Sequence, residues 1–354
     1  VIGTVSDFQR RLLSWYRQNR RDLPWRATGR NVVDPYHVLV SELMLQQTQV
    51  ATVVPYFLRF IARFPTATAL SAAPLDEVLR LWQGLGYYAR AQNLQKAARQ
   101  IVEEHAGRVP ADVATLLKLP GIGRYTAGAI ASTAFGIAAP IVDGNVARVL
   151  CRLDAIDGDP RQPAVRDQLW ERSAQILPAR QVGDFNSALM ELGATICVPR
   201  QPRCDICPVA LSCLAREQGR AAELPPPRRT NPAPLHHRIT ICVRHGNRWL
   251  LERRPNTGRW AGLWQFPTFQ GKRAPTPAQI NRELGFVTGP ARQLGRVEHA
   301  LSHRRYRFEA FLCRLSGLPG KPTANPARAW VTLAHLSEYP MGRPQLLIGE
   351  MLRG

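Results

Sequence analysis

The chain has 354 residues, enough for two domains at about 100–200 residues each. Hydrophobic residues at 45% and charged residues at 21% exclude wholesale disorder, and no apolar run is long enough to span a membrane as a helix. The net charge is +21, from 47 basic against 26 acidic side chains, and a surplus of that size points to a polyanionic partner, nucleic acid first.

Only four of the basic residues are lysine, and the segment from His236 onward holds 19 basic and 6 acidic side chains. The first residues, VIGTVSDFQRRLLSWYRQ, form an amphipathic pattern without a signal-peptide apolar core. An intracellular protein is therefore expected, in the cytoplasm or nucleoid, with no membrane association and with its seven cysteines reduced.

Helical spacing of apolar residues predicts helices over 6–18, 36–60, 74–83, 90–105, 112–118, 124–136, 144–153, 163–177 and 184–197. Pro65, Pro74, Pro110 and Pro120 punctuate the gaps. Within 36–60 the stretch from Pro35 to Leu58 has Glu42 as its one formal charge. Three readings stay open for that carboxylate: a solvated stripe with Gln46 and Gln49, a structural ion pair, or a pocket acid whose pKa is raised by burial. GLGYYARA (84–91) sets Leu85, Tyr87 and Tyr88 on a glycine-flanked turn, as core or as a wedge that fills a base stack.

LKLPGIGRYTAGAIAS (117–132) reads as helix, Pro-Gly-Ile-Gly turn and helix. Gly121 and Gly123 there allow close backbone approach, and the exposed N–H groups of such a turn can hold a phosphate. Asp143 opens the next helix in PIVDGNVARVL, where a cap is the simplest role and a catalytic one would need a second carboxylate nearby. Cys197, Cys204, Cys207 and Cys213 fall within 17 residues on a proline-rich loop and can converge on one soft metal centre, either an iron–sulfur cluster or zinc. Arg200 and Arg203 on that loop could contact phosphate, whereas Cys151, Cys242 and Cys313 read as core.

Residues 219–235, GRAAELPPPRRTNPAPL, read as an extended linker between a helical domain at 1–218 and a second domain at 236–354. In that second domain the apolar period becomes two. RITICVR (238–244) and RWLLERR (248–254) predict a hairpin, 305–315 and 327–333 predict further strands, and NRELGF (281–286) a helix end, which makes the domain α+β.

SELMLQQTQVATVVPY, LWQGLGYYARAQNL, LPGIGRYTAG, VDGNVARV, ELGATIC and Cys-x6-Cys-x2-Cys-x5-Cys, in this order, resemble the MutY adenine DNA glycosylases. That family belongs to the helix–hairpin–helix superfamily that also contains endonuclease III. The resemblance covers residues 7–215 and implies two helical lobes with a DNA groove between them and a 4Fe-4S cluster on the four cysteines. Residues 236–354 resemble the MutT-like, Nudix-fold domain that reads 8-oxoguanine, on the trace RWAGLWQFPTF followed by NRELGF. Only Glu283 remains of the glutamates a working Nudix box needs, so binding without hydrolysis is expected.

The resemblance implies that Glu42 protonates adenine N7 and that Asp143 steadies the oxocarbenium-like sugar, by transient covalent attachment. Tyr125 stands where the lyases have a catalytic lysine, and Asn145 orients the water or the carboxylate. Gln47, Thr48, Leu85 and Tyr87 match residues beside the 8-oxoguanine. Trp25, Arg26 and Glu191 match the surroundings of the extruded adenine. His299-Ala300-Leu301-Ser302-His303 resembles the family's His-x-Phe-Ser-His loop, with Leu301 in place of phenylalanine, and Ser302 and His303 would face the damaged base. The substrate implied is double-stranded DNA with 8-oxoguanine·adenine or guanine·adenine mispairs, and the protein is expected to act as a monomer. The alternatives are a thymine mismatch glycosylase of the same superfamily, a lyase-competent endonuclease, a non-catalytic nucleic-acid-binding module and a Nudix hydrolase acting on free nucleotides.

Overall fold

The computed structural model describes residues 4–26, 33–227, 232–285, 287–301, 303–316 and 327–353. By its contacts the chain divides into two units, 1–72 with 93–230, and 73–92 with 231–354. No helix among the described residues is long and apolar enough to cross a membrane. In chain order the helices before the linker are α1 (Val5–Asn19), α2 (Pro35–Leu45), α3 (Val50–Arg63), α4 (Ala67–Ala72), α5 (Leu75–Trp82), α6 (Ala89–His105), α7 (Val113–Leu116), α8 (Arg124–Phe135), α9 (Gly144–Leu153), α10 (Pro163–Gln175), α11 (Val182–Thr195) and α12 (Leu214–Glu217).

Local chemistry fixes where these helices begin. Thr4 caps α1 by accepting from Asp7 N at 3.2 Å, and Asp34 caps α2 by accepting from Tyr36 N at 2.8 Å, with Pro35 preset for the first turn. The predicted helix over 36–60 is two helices. The chain breaks at Gln46–Gln49, where Gln47 takes a left-handed backbone (φ 58°) that an L-residue adopts at a cost and that ends α2. Glutamine is a good helix former, so the pattern gave no sign of the break.

The core of the helical unit packs Phe8, Leu12 and Tyr16 of α1 against Val146 and Leu150 of α9 and Phe185, Leu189 and Leu192 of α11. Two glycines let α11 come close to its neighbours. A Cβ on Gly183 would stand 2.6 Å from Ser132 O of α8, and one on Gly193 would stand 2.8 Å from Asn145 Cβ of α9. That second approach fixes the start of α9, where Asp143 and Asn145 lie.

The second unit is a mixed sheet built from β1 (Leu235–His245), β2 (Arg248–Arg253), β3 (Trp264–Gln265), β4 (Thr268–Gln270), β5 (Arg292–Leu301), β6 (Arg304–Arg314) and β7 (Arg328–Thr332). The order is β3-β2-β1-β6-β5, with β4 on β1 and β7 on β2. The predicted hairpin forms, His245 pairing with Arg248 across the turn, and β1 runs parallel to β6 from Leu235↔Arg305 to Arg244↔Arg314. Alternation on β1 sends Ile239, Ile241 and Val243 to one face with Ile280 and Leu284 of α13 (Pro277–Leu284). Cys242 goes to the other face, with Phe266, Phe308 and Ile348 of α14 (Arg343–Met351). Segment 73–92 joins this unit through Gln92 Nε2 donating to Ala261 O at 2.8 Å, Gln83 Oε1 accepting from Met341 N at 3.0 Å and the Asp76–Arg253 ion pair.

Candidate active site

Glu42 lies in the middle of α2, whose residues from Val38 to Met44 are all buried. It is 8% exposed, which rules out the solvated stripe, and it forms no ion pair among the described residues. Its Oε2 is buried with no hydrogen-bond partner, an expensive state for a carboxylate unless it holds a proton or meets a ligand. Burial drives its pKa up to about 7, and the nearby Asp143 charge adds to the rise. A hydrogen bond from Tyr125 and the Arg26 guanidinium oppose it.

Asp143 supplies the second carboxylate. It caps α9, Oδ1 accepting from Val146 N at 2.7 Å, while Oδ2 accepts from Asn145 Nδ2 at 3.3 Å. Burial raises its pKa as well, against the Val146 and Asn145 amides and Arg148. The cap of α9 and the second carboxylate are thus one side chain. Tyr125, in the first turn of α8, has its hydroxyl beside Glu42 and 3.0 Å from Met190 Sδ. Burial and the two carboxylates push its pKa well above the ordinary phenol value, so it stays a neutral donor.

Glu191 is fully buried and holds Arg26 Nη2 at 2.9 Å and Arg21 Nη2 at 3.2 Å. Burial alone would raise its pKa, but the two arginines outweigh this and hold it below the usual range. Glu191 is therefore a charged brace for Arg26, and Arg26 in turn reaches Glu42 electrostatically. Trp25 is buried edge-on against Phe57, with ring centroids 5.3 Å apart. Gln47 and Thr48 occupy the break after α2.

Gly121 takes φ +82°, and a Cβ there would sit 2.8 Å from Asn93 Cβ. Gly123 caps α8 without a side chain, which leaves the N–H groups of that first turn open to an anion. In the second unit Leu85 is buried, whereas Tyr87 is 45% exposed on a left-handed backbone (φ 49°) with Arg90 under its ring. Tyr87 is thus the presented side chain of that turn and Leu85 its anchor. His299 and Leu301 lie on β5, paired with Tyr306 and Arg304, and His303 lies in the turn that follows. Ser302 lies outside the described residues.

The four cysteines Cys197, Cys204, Cys207 and Cys213 line one cavity together with Ile196 and Arg152. Burial and the other three thiols push Cys207 up to about 12, while the Val209 amide opposes them. Two arginines of α9, neither anticipated from sequence, tie this loop to the helix. Arg152 is buried and donates to Leu224 O at 2.7 Å, Val198 O at 2.8 Å and Cys197 Sγ at 3.3 Å. Arg148 donates to Cys197 O at 2.8 Å, Gly193 O at 2.7 Å and Asn145 Oδ1 at 2.8 Å. The sequence signal was present: two arginines four apart on an otherwise apolar helix, VARVLCRL, need buried acceptors on one face.

A raised Glu42 pKa makes the site costly to the fold. The native state holds its proton more tightly than the unfolded chain, so stability falls as pH rises from about 4.5 through 7. Glu42→Gln, neutral at every pH, should raise the melting temperature at pH 8 by the equivalent of about 3 kcal/mol and change little at pH 5. Equal shifts at both pH values would show that Glu42 is not held protonated.

Residues 40–175 match the family described as HhH-GPD superfamily base excision DNA repair protein, and residues 238–349 match the NUDIX domain. The adenine DNA glycosylase of Rattus norvegicus is 39% identical over 94% of this chain and 75% of its own length, and that of Homo sapiens 40% identical over 94% and 71%. Among solved structures, a thermostable thymine-DNA glycosylase superposes with a TM-score of 0.55 at 31% identity, covering 60% of this chain and 97% of its own. The chain belongs to the adenine DNA glycosylase family, with a helix–hairpin–helix glycosylase domain followed by a Nudix-like domain.

Proposed function

We propose that this member of the adenine DNA glycosylase family removes adenine from 8-oxoguanine·adenine and guanine·adenine mispairs in double-stranded DNA, as a monomer, by hydrolysing the N-glycosidic bond. The observation that carries the reading is the buried, unpartnered Glu42 Oε2 beside Asp143. Two carboxylates in separated environments give an acid and a charge stabiliser, as in glycoside hydrolysis.

Adenine leaves poorly as an anion. Glu42, half protonated near pH 7, donates to N7 and weakens the bond before it breaks. Asp143, which accepts from Val146 N and Asn145 Nδ2, stabilises the positive sugar and bonds with it transiently. Tyr125 cannot form a Schiff base, so the enzyme is monofunctional. Because the target base lies inside a duplex it must be extruded. The open N–H groups after Gly121 and Gly123 grip the backbone, while Tyr87, Gln47 and Thr48 fill and read the gap. Leu301, Ser302 and His303 read the opposite base from the second domain. Functionally we divide the chain into 1–218, a linker at 219–235 and 236–354.

Cys197, Cys204, Cys207 and Cys213 would hold the 4Fe-4S cluster. Their four thiols line one cavity, the donor number and softness that an iron–sulfur cluster takes. When bound, the cluster would staple loop 197–213 against Arg152 and Arg148, and through Arg148 and Asn145 steady Asp143.

The experiment compares duplexes containing 8-oxoguanine·A, G·A and G·T, each with and without hot alkali. Strand breaks at the adenine of the first two, only after alkali, are expected. Thymine release would instead favour the mismatch thymine glycosylase that the helical unit also resembles, and breakage without alkali would mean lyase chemistry. Ser302→Ala should narrow the preference for 8-oxoguanine·A over G·A by about tenfold, the worth of one polar contact.

A further inference from the structure

The turn between α5 and α6 is built on a buried cation. Arg90, in the first turn of α6, is 7% exposed, and its guanidinium lies against two aromatic rings, 5.5 Å from the Trp82 centroid and 5.4 Å from that of Tyr87. Its Nη2 donates to Gly86 O at 3.1 Å and to Leu85 O at 3.3 Å, and Trp82 Nε1 donates to the same Gly86 oxygen at 3.2 Å. The Arg90 main-chain N–H donates to Tyr87 O at 2.9 Å. Leu85, Gly86 and Tyr87 thus each bond through their carbonyl to Arg90. Burial pushes the guanidinium's pKa down to about 10, and the Tyr87 phenol opposes this.

Burying a charge is unfavourable, and here the charge sits where the backbone is least able to hold its own shape. Gly84 takes φ 107°, Gly86 φ 73° and Tyr87 φ 49°. For a bulky aromatic residue such a backbone is an outlier that persists only where its surroundings impose it. A planar guanidinium can lie flat on the rings and still bridge two carbonyls. The compact ammonium of a lysine on its flexible stem cannot do both.

We propose that Arg90 is the positioning residue for Tyr87, holding the turn and the ring in the shape that enters the duplex before DNA arrives. This rests on the reading of Tyr87 as the side chain that fills the gap. Arg90 is buried and does not itself reach a base. It acts by removing the need to order a half-exposed aromatic side chain on binding. With the guanidinium against one face, the ring meets a base by the other, and the stacking supplies affinity.

The test is a double-substitution cycle on the full-length protein, reading affinity for an 8-oxoguanine·adenine duplex whose target sugar resists cleavage. A 2-aminopurine beside the 8-oxoguanine reports unstacking by its fluorescence. Tyr87→Leu should weaken binding about tenfold or more and remove most of the fluorescence rise. Arg90→Lys keeps the charge and most of the stem, and should weaken binding about threefold to tenfold with part of the same fluorescence loss. Added to Tyr87→Leu, it should cost nothing further. An Arg90→Lys loss of the same size with and without the Tyr87 ring would overturn the positioning role and leave Tyr87 in the gap, as would parent-like affinity and fluorescence. Parent-like binding by Tyr87→Leu would remove Tyr87 from the interface and the proposal with it. One measurement needs no variant: carbon-13 relaxation of the labelled Tyr87 ring in the DNA-free protein should show an ordered side chain, and a freely averaging one would overturn the proposal.

Discussion

Glu42→Gln should abolish adenine release, by about 10²–10⁴-fold or more in single-turnover rate, while duplex affinity stays within a few-fold of the parent. Gln keeps the shape and volume of Glu on a helix where every neighbour is buried, so α2 repacks nothing. What it lacks is a transferable proton. Glu42 is the one formal charge between Asp34 and Arg59, so no other acid on that helix can take over. Of the groups that act on it, Arg26 is a guanidinium, Tyr125 a phenol held neutral by burial and by the two carboxylates, and Asp143 is already committed to Val146 N and Asn145. A variant that kept activity within a few-fold would remove Glu42 from the proton-donor role.

Asp143→Asn should cost nearly as much, about 10³-fold, for a different reason. Asn is as good an N-cap as Asp, so its side-chain oxygen can still accept from Val146 N and α9 should form. The negative charge facing the sugar is lost. That charge also raises the Glu42 pKa, so the same substitution should move the Glu42 titration downward, readable by NMR of the labelled carboxyl. Intact chemistry in the folded variant would mean that the cap is all Asp143 provides.

How much of this was legible beforehand depends on what each feature rests upon. Glu42 stood out because α2 is apolar all round, which a single charge interrupts. Whether it faced water was undecidable from spacing, since Glu42, Gln46 and Gln49 also make a polar stripe. Burial at 8% decides it. The break at Gln47 left no trace in the sequence, because its left-handed backbone is set by the surrounding fold. Arg148 and Arg152 lie on an otherwise apolar helix. Their main-chain acceptors outside α9 are Gly193 in the last turn of α11, Cys197, Val198 and Pro199 after it, and Leu224, which no local pattern relates to α9. Strand β5 was missed because it is an edge strand with one buried side chain, Val297, and so carries little alternation. Segment 73–92 meets the rest of the second unit through Asp76, which accepts from Arg253 and Trp264 Nε1, and through bonds of Arg80, Gln83, Tyr88 and Gln92, and such contacts have no sequence signature.

The central claim, that a buried Glu42 delivers a proton to adenine, is tested most directly by the pH dependence of single-turnover excision from an 8-oxoguanine·adenine duplex at saturating enzyme. Glu42 must be protonated, so the rate should fall about tenfold per pH unit above roughly 7, and Asp143 must be ionised, so it should also fall towards acid. A rate that stays flat from pH 6 to pH 9 would contradict the assignment.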